Sequence, residues 1–195
     1  MTKLRLAFYL FITFLTACTS APAKIEYYSL SFDLEAASSK STTLEDDEKK
    51  LVLVEQIVLA DFLRQQGLVV QTSKNKIHIS SQHRWAESLD EAISRTIIGH
   101  LENNLPQYRF ENHQSRWDKR PEFRLNLAFS HFHTNALNQV VVAGNYWILN
   151  GDNQLLTKQR FNFTKSLTKD GYLNSVEELN SAIKSLAEKI ESEIN

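Results

Sequence analysis

Three successive segments between residues 123 and 164 limit the fold more than anything else in the chain. Phe123, Leu125, Leu127 and Phe129 alternate with Arg124, Asn126, Ala128 and Ser130, and that period of two sorts them onto opposite faces of a strand. The alternation resumes from Gln139 to Leu149 after a turn at 135–138. It resumes again from Gln154 to Thr164 after Asn150-Gly151, two residues that tolerate positive φ and mark a hairpin. A three-stranded antiparallel meander results, with one apolar face that another layer has to cover.

Two amphipathic segments supply that layer. Ser88 and Glu91 form an S-x-x-E capping box ahead of Leu89, Ile93, Ile97 and Leu101, which share one helical face until Asn103-Asn104 and Pro106. Ser175 and Glu178 repeat the box ahead of Val176, Leu179, Ile183, Leu186, Ile190 and Ile194. Upstream, Ile25 to Leu30 forms a short aromatic strand, and Leu51 to Leu59 (LVLVEQIVL) forms one interior strand. Leu68–Thr72 and Lys76–Ser80 pair as a hairpin around Ser73-Lys74-Asn75, with Val70, Ile77 and Ile79 inward, and Tyr108 to Glu111 adds a further strand. The order β-β-β-β-α-β-β-β-β-α predicts an α+β fold, a mixed, mainly antiparallel sheet with two amphipathic helices packed on one face.

Composition removes several function classes. Across 195 residues, enough for one domain, 22 Lys+Arg stand against 23 Asp+Glu. No broad basic field is present to hold nucleic acid. The five glycines stand too far apart for a G-x-G-x-x-G turn or a Walker loop. One cysteine excludes a disulfide framework and a multi-cysteine metal cage. No G-x-S-x-G nucleophile elbow occurs, so catalytic residues and cofactors are expected to be absent. The stretch from Glu35 to Lys50 is nearly devoid of apolar side chains and is expected to be a flexible loop. Its Glu45-Asp46-Asp47-Glu48 run reads as hydrated charge, since no rigid oxygen cage is spelled out.

The amino terminus carries an address. Lys3 and Arg5 precede a mostly apolar run of ten residues, Leu6 to Leu15, then Thr16, Ala17 and Cys18. That run is too short to span a bilayer, which takes about 20 residues, and it fits a signal peptide. Leu15-Thr16-Ala17-Cys18 resembles the bacterial lipobox, whose cysteine thiol becomes a diacylglycerol thioether. Residues 1–17 are then removed, 18–24 form a lipidated tether anchored by Cys18, and 25–195 form the folded domain. Loss of Lys3 and Arg5 leaves 20 basic residues against 23 acidic ones. Thr19 stands where inner-membrane lipoproteins carry aspartate, which by resemblance favours the outer membrane, periplasmic side.

Several blocks together resemble the ABC-type transport auxiliary lipoprotein family. They are Tyr27-Tyr28-Ser29-Leu30, Leu51 to Thr72, Trp85-Ala86 with Ser88-Leu89-Asp90, Leu125-Asn126, Val140 to Gly144 and Asp170-Gly171-Tyr172. The resemblance spans nearly the whole exported chain. It implies a non-enzymatic accessory of an inter-membrane lipid transport system, docking on an MCE-domain protein of the PqiB type and supporting envelope integrity. The acidic linker and the loop from His113 to Pro121 depart from the family pattern, so partner contacts there do not carry over. Self-association into a homo-oligomeric ring is a further expectation. The alternatives are an activator of a cell-wall synthase, which needs a longer tether, and a periplasmic hydrolase.

Phe62 and Leu63 fall in a turn between strands, where exposed apolar side chains would mark a docking edge, and Trp85 and Trp117 join them as candidate partner-interface residues. Trp85 also fits a core plug beside the first helix. Arg116 to Arg120 interleaves basic residues with Trp117, the makings of a lipid-headgroup patch, though a solvated loop is the default. His131 and His133 project to one strand face, expected to be that of Phe129 and Leu127, and with no third ligand at a recognisable spacing they read as rim histidines rather than metal ligands.

Overall fold

The computed structural model describes residues 23–31, 48–117 and 119–194. The signal segment, Cys18 and most of the acidic loop, with its Glu45–Asp47 charges, lie outside the described residues. The elements are β1 (Glu26–Tyr28), β2 (Lys50–Val54), β3 (Val58–Leu59), a 3-10 turn at Asp61–Arg64, β4 (Gly67–Ser73) and β5 (Lys76–Trp85). There follow α1 (Leu89–Asn104), β6 (Tyr108–Asn112), β7 (Phe123–Asn135), β8 (Gln139–Asn150), β9 (Leu155–Ser166) and α2 (Tyr172–Ile194). All nine strands join one sheet, and the fold is α+β as the sequence pattern predicts.

β7 is the spine. One edge carries the antiparallel β8, which carries β9. The other edge is shared in turn by β2, β3 and β4, each parallel to it. β6 flanks β2, and β5 with β1 extends the sheet beyond β4. The long ladders are antiparallel and the parallel ones are short. Both helices cover one face, where Leu125, Leu127, Phe129, Phe132, Tyr146 and Phe161 meet Ile93, Ile97, Leu179, Ile183, Leu186 and Ile190 in a single buried cluster. At roughly 1.5–3 kcal/mol per fully buried large apolar side chain, this cluster is the main source of stability.

Local departures from the sequence pattern have identifiable causes. The expected single strand over Leu51–Leu59 breaks after Val54. Val54 pairs with Leu125 and Val58 with Ala128, so four steps along this chain match three along β7. The surplus residue reverses the side-chain parity. Leu59 is therefore buried while Val58 is 53% exposed. Glu55 marks the break, its backbone N–H donating to Leu125 O and its carboxylate accepting from Arg124 at 2.7 Å.

Ser88 does cap α1 by position, in extended conformation, but its side chain makes no capping hydrogen bond. The second box does not cap a helix at all. α2 starts at Tyr172, after Gly171 at φ +112°, and Ser175 lies in the first turn with its hydroxyl donating to Gly171 O. In the β8–β9 turn the left-handed residue is Asn153, φ 62°, and not Asn150 or Gly151. Gly151 serves a close approach instead, since a Cβ there would collide with Pro121 O. Ile77 and Ile79, expected inward, are 41% and 39% exposed. They pair with Gln71 and Val69 next to the β4–β5 turn.

Candidate partner interface

The histidine pair lies opposite the face that simple alternation predicts. Phe129 pairs with Gly144 and His131 with Ala143, leaving Ser130 as a bulge residue. Parity flips there, so Phe132 joins Phe129 in the core at a ring separation of 6.1 Å while His131 and His133 point to the outer face. Their rings lie 5.4 Å apart. His131 is exposed and His133 is buried, with Phe62 at 6.3 Å from the His133 ring. Burial pushes the His133 imidazole below the usual histidine range and the neighbouring His131 adds to this, against an opposing hydrogen bond to Thr134 O. Among the described residues no three His, Cys, Asp or Glu side chains converge as a metal site.

The four candidate interface residues divide. Leu63 and Trp85 are 1% and 5% exposed and belong to the core, where the Trp85 ring lies 6.1 Å from Phe132. Neither offers surface to a partner. Phe62 is half-buried on the 3-10 turn, against the core and His133. Beside that turn, a cleft of about 380 Å³ is lined by Gln56, Val58, Arg64 and the start of α1. Trp117 is exposed on the loop between β6 and β7. Arg120 of that loop pairs with Asp152 in the β8–β9 turn, so Trp117, Leu155 and Leu156 share one end of the molecule. Cys18 lies outside the described residues.

The opposite end is built from the β4–β5 turn, the β7–β8 turn and the β9–α2 connection. Gln71 pairs with Asn135, Leu167 N–H donates to Asn138 O, and Asn138 donates to Asp170 at 3.2 Å. Two exposed side chains there carry no hydrophobic-run signal in the sequence, Leu137 and Leu173. A lone leucine in a polar turn was the only mark available. β1 docks near this end: the ring of Tyr172 stacks on His83 at 3.8 Å, and the Tyr28 hydroxyl reaches His83 Nδ1 at 3.0 Å. Burial, followed by the hydrogen bond to Glu26, pushes the Tyr28 phenol up to about 12. These groups hold the first strand in place; no nucleophile and base pair with an orienting acid among them.

A family model for the ABC-type transport auxiliary lipoprotein component matches residues 28–191. The chain belongs to that family. Its members are auxiliary components, not enzymes, and the match takes in every element but the first two residues of β1 and the last three of α2. The chain is 30% identical over 160 residues to the intermembrane transport lipoprotein PqiC of Escherichia coli, covering 81% of this chain and 80% of that one. It is equally similar to PqiC of Shigella flexneri. Among solved structures, an uncharacterised protein superposes with TM-score 0.74 at 25% identity, covering 88% of this chain and 99% of the other. A Xanthomonas campestris protein superposes with TM-score 0.67 at 9% identity, covering 85% and 91%, which shows the shared fold. Among the described residues no helix is long and apolar enough to cross a membrane.

Proposed function

We propose that this chain is an outer-membrane lipoprotein, acylated at Cys18, that serves intermembrane lipid transport by docking on an MCE-domain protein of the PqiB type. The observation that carries this reading is the polarity of the molecule. β1 runs parallel to β5, away from the β4–β5 turn, so the amino terminus enters from the end that holds Leu137. Trp117 and Leu155 lie at the other end of β7 and β8, about 40 Å away at ~3.3 Å per residue. A chain tethered by its first residues turns that far end toward the periplasm. The tether from Thr19 to Lys24 spans at most about 20 Å, too short to reach a distant cell-wall synthase.

The Trp117 loop is then the docking element, an exposed aromatic beside Arg116 of the kind enriched at interface centres. A photoactivatable amino acid at position 117 of the full acylated chain is expected to capture an MCE-domain protein in cells, and Trp117→Ala to weaken co-purification by about tenfold. Capture of no MCE-domain protein overturns the docking claim, and a mass showing an unmodified Cys18 overturns the anchor. Self-association into a ring completes the reading. β9, twelve residues long, pairs only with β8 among the described residues and leaves an edge for a second copy. A monomeric mass of the acylated protein in native spectrometry overturns that part.

A further inference from the structure

Exposed apolar side chains lie at both ends of the molecule, Trp117, Leu155 and Leu156 at one and Leu137, Leu173 and Ile77 at the other. Leu137 is 78% exposed, Leu173 64%, Tyr27 63% and Ile77 41%. Leu137 sits on the β7–β8 turn, which shares a shallow cleft with Lys74 of the β4–β5 turn. Leu173 opens α2 beside the β9–α2 connection, whose Asp170 is tied to Asn138 of the same β7–β8 turn. Between these tips stand Lys74, Lys76 and Lys169, all exposed, their ammonium groups with no acidic partner among the described residues. The acids nearby are engaged: Asp170 accepts from Asn138, Glu177 accepts from Asn174, and Glu26 accepts from the Tyr28 hydroxyl. Exposed leucines ringed by free lysines match a bilayer surface, where apolar tips enter the acyl boundary and ammonium groups meet phosphates.

Chain geometry fixes the same end against the anchor. Glu26 lies level with His83, seven residues along β5 from Lys76. Arg84 pairs with Gly67 and Lys76 with Ser73, so across the bulge in β5 the β4–β5 turn projects at most about 20 Å past Glu26 toward the amino terminus, at ~3.3 Å per residue along β4. The eight steps from Cys18 to Glu26 reach at most about 27 Å when fully extended. A Cys18 held in the membrane surface by acyl chains thus leaves the turn tips within roughly 7 Å of that surface at full stretch, and a slack tether brings them to the headgroups.

We propose that this end of the domain rests on the phospholipid leaflet that holds the acylated Cys18, inserting Leu137 and Leu173 and setting Lys74, Lys76 and Lys169 against lipid phosphates. The tether and the turn tips together then fix the tilt of the domain, so that the Trp117 end faces away from the membrane. The proposal rests on the acylation of Cys18 given above, and its test separates the two.

The full chain, acylated at Cys18, is reconstituted in phosphatidylethanolamine–phosphatidylglycerol vesicles with an environment-sensitive dye on one added cysteine, Leu137→Cys, Leu173→Cys or, at the far end, Leu155→Cys. Acylation blocks the native thiol, so each dye occupies one position. Nitroxide-labelled lipids are expected to quench the dye at 137 and 173 at least about twofold more than at 155. Replacing Lys74, Lys76 and Lys169 by glutamate is expected to lower quenching at 137 while the protein still floats with the vesicles. Equal quenching at all three positions, or none at 137 and 173 in protein that floats, overturns the membrane contact and leaves the anchor standing. Protein that fails to float overturns both. A dye at 137 shielded by a co-purified protein and untouched by nitroxide lipid assigns this end to a protein partner and overturns the proposal.

Discussion

The two faces of β7 have opposite characters over the same thirteen residues. On the helix-covered face Leu125, Leu127, Phe129 and Phe132 are all at or below 2% exposed. On the outer face Arg124, Asn126 and Ala128 are half-buried and His131 is exposed, yet His133, the last of that set, is buried. The difference is one of cover. The inner face meets α1 and α2, whereas on the outer face the 3-10 turn sets Phe62 by His133 at one end. Stability therefore belongs to the inner face, and substitutions there and on the outer face should differ sharply in cost.

The largest effect is expected where a strand crosses the core with no side chain at all. Gly144 on β8 pairs with Phe129 and Phe161, and a Cβ there would overlap Ala128 O and come within 2.8 Å of Phe161 Cζ. The carbonyl belongs to the neighbouring strand and has no freedom to yield. Gly144→Val is expected to cost more than about 4 kcal/mol, read as loss of the cooperative urea transition or of soluble protein. A variant with the midpoint of the native chain would break the account of β8 as a tightly packed central strand.

Next comes the side-chain contrast across the bulge. Phe132→Ala removes a ring packed between Trp85 and Phe129 and is expected to cost about 3–5 kcal/mol in urea unfolding. His131→Ala, one residue away on the outer face, is expected to fall within about 0.5 kcal/mol. Equal costs would mean that the bulge at Ser130 does not reverse parity and that His131 faces inward.

That bulge also shows where sequence reasoning stops. The helical stripes were legible because Ile93, Ile97 and Leu101, and Leu179, Ile183 and Ile190, repeat at helical spacing regardless of neighbours. Strand parity was legible only up to the first surplus residue. Ser130 in β7 and the step between Val54 and Val58 each insert one residue, and no residue type announces it, so His131, His133, Val58 and Leu59 could not be assigned to a face from alternation alone. Leu63 and Trp85 read as interface candidates because an apolar residue in a turn has the same composition whether it folds back or stands out. Tertiary packing decides between these: the 3-10 turn folds Leu63 into the core, and the end of β5 sets Trp85 against Phe132. Leu137 and Leu173 were invisible for the converse reason: isolated leucines among polar residues carry no periodicity.

The smallest effect is the pH dependence, and it separates the roofed part of the outer face from the open part. Burial, reinforced by His131, lowers the His133 proton affinity in the folded state, and burial with Lys184 nearby lowers that of His100 against the pull of Glu188. The unfolded chain releases both imidazoles to the ordinary value of about 6.5, so below that pH it binds more protons than the folded chain. Stability is then complete above about pH 6.5 and declines as pH falls through the window down to the depressed folded values. Urea midpoints are expected to drop between pH 7.5 and pH 5. His133→Gln should remove part of that drop and leave the share due to His100. If His133→Gln retains the full acid slope, Phe62 does not shield the imidazole, and the outer face at that end is as open as the rest of the strand.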